Sequence, residues 1–161
     1  MLIGEQPGNQ EDQAGHPFVG PAGKILDKAL AEVGIARESV YVTNAVKHFK
    51  WEPQGKRRKH KKSTAAEIAA CRPWLEAEVR VVKSRVVVCL GVTAAQSVFV
   101  KAVRLNELRG HPWNTPIASN VFVTVHPSAV LRHTDAERHE EYRRFVEDLR
   151  QIKTFLQTQA A

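Results

Sequence analysis

The chain has 161 residues, 43% of them hydrophobic and 25% charged, which are ordinary globular values for one domain with a packed core. No apolar run reaches the roughly eighteen residues of a membrane-spanning helix, no basic region followed by an apolar stretch opens the chain, and two cysteines make no disulfide framework, so a reducing, cytoplasmic location without membrane contact is the default. A net charge of +7, from 24 Lys+Arg against 17 Asp+Glu, points to a polyanionic partner.

Residues 1–3 read as the end of a buried strand that runs straight into Gly4. A core strand with nothing before it suggests a chain that begins inside its domain, through a misplaced start or missing upstream residues. Residues 24–34 carry Ile25, Leu26, Ala29, Leu30 and Val33 at helical spacing, with Gly34 as the stop. Residues 40–46 read as a second strand, reaching Thr43 and Asn44. The stretch 47–62 follows, with eight of the Lys+Arg and one acid, so the rest of the chain holds sixteen of each sign and nets to zero. The charge excess is therefore one basic loop, and His60 sits inside it.

Ser63 or Thr64 caps a helix over 63–83, with Glu67 three residues after Thr64 and Ile68, Cys71, Leu75, Val79 and Val82 on one face. A third strand at 85–90 ends at Gly91, a short helix spans 93–101, and a fourth strand at 121–125 runs into His126-Pro127-Ser128. The last helix, 135–157, has Tyr142, Phe145, Val146, Leu149, Ile152 and Phe155 on its stripe. Nearly continuous β-branched strands alternating with helices imply an α/β fold: three layers, α/β/α, around a central, mainly parallel four-stranded sheet, in one domain over 1–158. Ligands of such sheets collect beyond the carboxyl ends of the strands, where each strand here ends in polar chemistry.

The blocks GEQPGNQEDQAGHPFVGPAG (4–23), TNAVKHF (43–49), GKRRKH (55–60) and HPS (126–128) together resemble the uracil-DNA glycosylase superfamily over nearly the whole chain, family 4 in general. The KRR-x-H insert looks most like the UdgX branch, which traps uracil-containing DNA covalently. The resemblance implies a flipped base held in a snug pocket. Phe18 matches the stacking aromatic, Asn44 the amide that reads the O4 and N3–H of uracil, and Gln6 the branch's characteristic residue after Glu5. His126 falls where a donor to uracil O2 would stabilise charge on the departing base. Glu5 matches the carboxylate that stabilises the cationic sugar, orients a water or accepts a proton. An Asp is expected at the position of Asn9, so no carboxylate role carries over there; Glu11 and Asp12 remain as the nearby acids, either for such a role or as solvated acids near the following helix.

His60 is the sharpest expectation. Its cationic neighbours work against a positive ring, and a neutral imidazole is a competent nucleophile, here toward C1′ of the deoxyribose once uracil has left. Lys59 departs from the apolar residue expected in its slot. Lys56, Arg57, Arg58, Lys61 and Lys62 are expected to meet phosphates, with Arg58 also able to hold the loop over the pocket; Arg132 and His133 are expected on the opposite rim. Phe49 and Trp51 either stack on bases or pack the foot of the loop.

Family 4 relatives usually hold a [4Fe–4S] cluster on four cysteines. Cys71 matches one ligand well and Cys89 matches another less well, while the N-terminal pair is absent, which leaves a partial set. Three functions follow in order: uracil excision ending in a covalent His60–DNA adduct, a hydrolytic uracil-DNA glycosylase with water oriented by Glu5, and a non-catalytic nucleic-acid-binding module. The expected partner is uracil-containing DNA, single-stranded, and the expected form a monomer.

Overall fold

The computed structural model describes residues 1–132 and 134–159. Four parallel strands form the sheet: β1 (Leu2–Gly4), β2 (Val42–Asn44), β5 (Val87–Leu90) and β6 (Val121–Thr124), in the order β2-β1-β5-β6. The register pairs Gly4 with Asn44, Ile3 with Cys89 and Leu90 with Thr124. All four carboxyl ends therefore open on one edge, where Glu5, Ala45, Gly91 and Val125 begin the loops.

Successive strand residues point to opposite faces, and both faces are buried. Leu2, Val88, Leu90 and Phe122 join a cluster with Leu26, Leu30, Phe145 and Leu149. These come from α2 (Pro21–Glu32) and α7 (Asp135–Thr158). Met1, Ile3, Val87, Cys89, Val121 and Val123 pack on the other face with Leu75, Ala94 and Val98. Those come from α3 (Ala65–Val82) and α4 (Val92–Phe99). The three-layer α/β/α architecture expected from the apolar runs is the one observed.

Of the two candidate caps for α3, Thr64 is the one used. Its hydroxyl accepts the Glu67 N–H while the Glu67 carboxylate accepts the Thr64 N–H. The Thr64 backbone bond, then Lys50, holds the Glu67 carboxyl down at about 2. Ser63 is turned inward and serves the site instead.

The basic stretch 47–62 is ordered structure, not an irregular loop. Trp51–Gln54 (β3) and Arg57–His60 (β4) pair antiparallel, with Trp51 opposite His60 and Pro53 opposite Arg58. The reversal passes through Gly55, whose φ of 58 is the left-handed region that glycine adopts without penalty. Two short helices, α1 (Asn9–Ala14) and α6 (Pro127–Val130), sit at the carboxyl edge. A 3-10 turn at Arg37–Ser39 and α5 (Leu105–Leu108) complete the elements. No helix among the described residues is long and apolar enough to cross a membrane.

Candidate functional site

A cleft of about 610 Å³ opens at the carboxyl edge of the sheet. Glu5 and Gln6 enter it from β1, Asn44 from β2, His126 from the end of β6, Phe18 from the turn before α2, and His60 from the hairpin. Every residue expected to act on the base or the sugar thus lines one cavity. Arg132 stands on its rim with Leu131. His133 lies outside the described residues. Lys56, Arg57, Lys61 and Lys62 are exposed on and beside the hairpin, outside the cleft lining, and Lys61 pairs with Glu52 at 3.0 Å.

Backbone geometry explains why Phe18 can stand here. Its φ is 56, a conformation costly for a residue with a Cβ. The turn is pressed against α2 so closely that a Cβ on Gly23 would lie 1.9 Å from the Phe18 carbonyl oxygen. Gly4 does the same for the side chains: a Cβ there would lie 2.5 Å from Asn44 Oδ1 and 2.7 Å from the Phe18 ring. Two glycines thereby let an aromatic face and an amide meet at the head of β1. The Phe18 ring stacks at 5.5 Å on His126. Among the described residues the Asn44 carboxamide has no hydrogen-bond partner, which leaves its donor and its acceptor for a ligand.

The tautomer of His126 follows from its contacts. Nδ1 accepts the Ser128 N–H at 3.1 Å and lies 2.8 Å from the Ser128 hydroxyl. A nitrogen that accepts carries no proton, so the proton is on Nε2. Burial, with smaller contributions from the Arg132 guanidinium and the nearby His60 ring, lowers its pKa to about 4, against a partial opposing effect of Glu11. At neutral pH the ring is an uncharged Nε2–H donor. Glu5 brings the opposite character: its Oε1 is buried with no hydrogen-bond partner among the described residues. A buried acceptor left unpaired costs free energy and is kept where function uses it.

The hairpin is fastened at two points. Gln6 Oε1 accepts from Ser63 Oγ at 2.9 Å and from the Lys50 N–H at 3.3 Å, which fixes the amide orientation. Gln6 Nε2 then donates to the Lys61 carbonyl at 2.8 Å and faces His60 Nε2 at 2.6 Å. His60 Nε2 is accordingly the acceptor nitrogen of its ring, with a lone pair and no proton. On the outer side, Arg58 donates to Asn9 Oδ1 at 2.6 Å and to Asp12 Oδ2 at 2.7 Å. Its guanidinium also lies over the rings of Phe49 and Trp51. Arg58 therefore ties the hairpin to α1. Phe49 is buried under the hairpin, and Trp51 remains exposed.

Several residues here escaped the sequence reading. Asn9 and Asp12 are partners of Arg58, and Ser63 is a partner of Gln6. Of the two alternatives left for Glu11, the solvated one does not hold: its Oε1 accepts the Gly20 N–H at 2.7 Å, and it lines the cleft. The close approach of Gly8 and Gly20 to its carboxylate makes that lodging possible. A glycine on either side of an acid was the available signal.

Cys71 and Cys89 are two of the four thiolates that an iron–sulfur cluster takes, and both are buried as free thiols. Cys89 lies on the central strand β5, fully buried, with burial pushing its thiol up. Cys71 belongs to a separate cluster with Val46 and Ile68, with His48 Nδ1 at 3.9 Å from its sulfur. Among the described residues no three His, Cys, Asp or Glu side chains are grouped to hold a metal ion.

A family model described as the uracil DNA glycosylase superfamily matches residues 1–150. The type-4 uracil-DNA glycosylase of Thermotoga maritima is 40% identical over 159 residues, 97% of this chain and 77% of the relative. The type-4 enzyme of Pyrobaculum aerophilum is 35% identical over 139 residues, 82% of this chain and 67% of the relative. That of Archaeoglobus fulgidus is 34% identical over 151 residues, 88% and 70%. With its parallel sheet, its cleft at the strand ends and these relatives, the chain belongs to the uracil DNA glycosylase superfamily.

Proposed function

We propose that this chain excises uracil from DNA and then captures the sugar through His60, as in the UdgX branch. The carrying observation is the Gln6–His60 contact, which holds an unprotonated imidazole nitrogen at the cleft that also contains Glu5, Phe18, Asn44 and His126. A uracil stacked on Phe18 would offer O4 and N3–H to Asn44 and O2 to the Nε2–H of His126. The C1′–N1 bond breaks with its electron pair going to N1, and the His126 bond strengthens as charge grows on O2. Glu5 faces the cationic sugar. His60 Nε2 then bonds to C1′, and the ring is relieved of the added charge by losing its Nδ1 proton, which ends on the uracil anion through water. The basic hairpin supplies the salt-dependent attraction to phosphate.

A second reading is favoured by the unpaired Glu5 carboxylate, which could equally orient a water toward C1′ and release an abasic site. A denaturing gel of the protein with a single-stranded uracil-containing oligonucleotide separates the two. A band that survives boiling and is absent for His60→Ser supports capture. Alkali-labile product without the band supports hydrolysis, and binding with neither leaves a non-catalytic module.

A further inference from the structure

Lys47 belongs by sequence to the basic run, yet its ammonium is turned into the protein. Its three protons have three acceptors: Thr43 Oγ1 at 2.9 Å, the Asn44 carbonyl at 2.7 Å and Glu78 Oε2 at 2.5 Å. Glu78 reaches across from α3 and also accepts from the hydroxyls of Thr43, at 3.0 Å, and Tyr41, at 3.2 Å. The Lys47 and Glu78 side chains are only 28% and 25% exposed. Asn44, with Glu11, stands between two cavities. One side lines the main cleft, and the other faces a second hollow of about 350 Å³ lined by Thr43, Lys47 and Glu78.

We infer that Lys47 and Glu78 are positioning residues for Asn44, fixing the peptide that carries the base-reading amide and thereby setting uracil recognition; this rests on the reading of Asn44 proposed above. The physical reason is the geometry of β2. It is an edge strand, paired only to β1, and Asn44 is its last residue. The Asn44 amide is left open for a ligand, so its own side chain contributes no anchor. A hollow behind it gives it room to withdraw. The Ala45 N–H holds one side of that peptide to the Gly4 carbonyl at 2.9 Å, and the Lys47 bond to the Asn44 carbonyl, with the Glu78 carboxylate holding the ammonium in place, fixes the other. Small misplacements of a reading or reacting group are costly, and a pre-ordered amide avoids them.

The test is a double-mutant cycle on the full chain, reading single-turnover uracil release from a single-stranded oligonucleotide. Lys47→Met is expected to slow release about tenfold in the parental background and by less than about twofold in the Asn44→Ala background. Its effect on Tm is expected to be the same in both. Glu78→Ala gives a smaller loss, and Glu78→Gln, which keeps an acceptor for Lys47, recovers most of it; this pair decides the matter if Lys47→Met does not fold. An equal loss in both backgrounds, no loss in either, or Gln as damaging as Ala overturns the inference. If Asn44→Ala alone leaves release unchanged, the reading of Asn44 falls with it. If Asn44→Ala is slow and Lys47→Met is not, only the inference falls.

Discussion

Gln6 Nε2 faces His60 Nε2 across 2.6 Å, joining the loop that leaves the first strand to the last residue of the hairpin. Because the other end of the amide is held by Ser63 and Lys50, the contact has one direction, and the ring nitrogen accepts. Gln6 thus orients the imidazole and also occupies its lone pair.

This dual role makes Gln6 a test of its own. Gln6→Ala frees the lone pair and also frees the ring to rotate. Orientation outweighs availability here, since misplacement of a reacting group costs on the order of a hundredfold. Adduct formation relative to uracil release is expected to fall at least about tenfold, read as the ratio of cross-linked band to free uracil in one time course. A ratio that rises would show that the hydrogen bond restrains the nucleophile.

Gly23 lies inside α2, where alanine would add about 1 kcal/mol of helix propensity. A Cβ at 1.9 Å from the Phe18 carbonyl opposes this, and overpacking costs typically about 1–3 kcal/mol, more when backbone must move. Gly23→Ala is therefore expected to destabilise by roughly 2 kcal/mol, net, in a urea titration, and to slow uracil release by displacing Phe18. A stabilised variant would contradict the close approach.

His126 sets a pH dependence. Its pKa in the fold is about 4, below the 6.5 of a free histidine, so the unfolded chain takes up this proton first as pH falls. Its contribution is level above pH 6.5 and is lost progressively between about 6.5 and 4, by roughly 3 kcal/mol in all. Unfolding titrations at several pH values, with His126→Gln subtracted to cancel other groups, are expected to show a stability difference that shrinks in that window. A difference that stays constant from pH 7 to 4 would contradict the buried neutral ring.

Much of this was legible because it was written in apolar runs. The strands at 85–90 and 121–125 could only be covered on both faces, and their ends had to share one edge. Glu5, Asn44 and His126 stood out as polar residues where strands stop. The hairpin was illegible because Trp51–Gln54 and Arg57–His60 show no alternation of apolar and polar residues. It is held by Gln6, Asn9 and Asp12, far away in sequence. The helix Asn9–Ala14 has no buried residue and so left no stripe to read. Lys47 counted only as part of the basic run, because a sequence shows the sign of a side chain and not its direction, whereas Arg58, expected at phosphates or holding the loop, contacts Asn9 and Asp12.

The central claim is best tested by mapping the bond. After reaction with a single-stranded uracil-containing oligonucleotide, nuclease and protease digestion followed by tandem mass spectrometry should find a deoxyribose remnant on His60 and free uracil in solution. Uracil release with an unmodified His60 peptide, or a remnant on any other residue, would contradict the account.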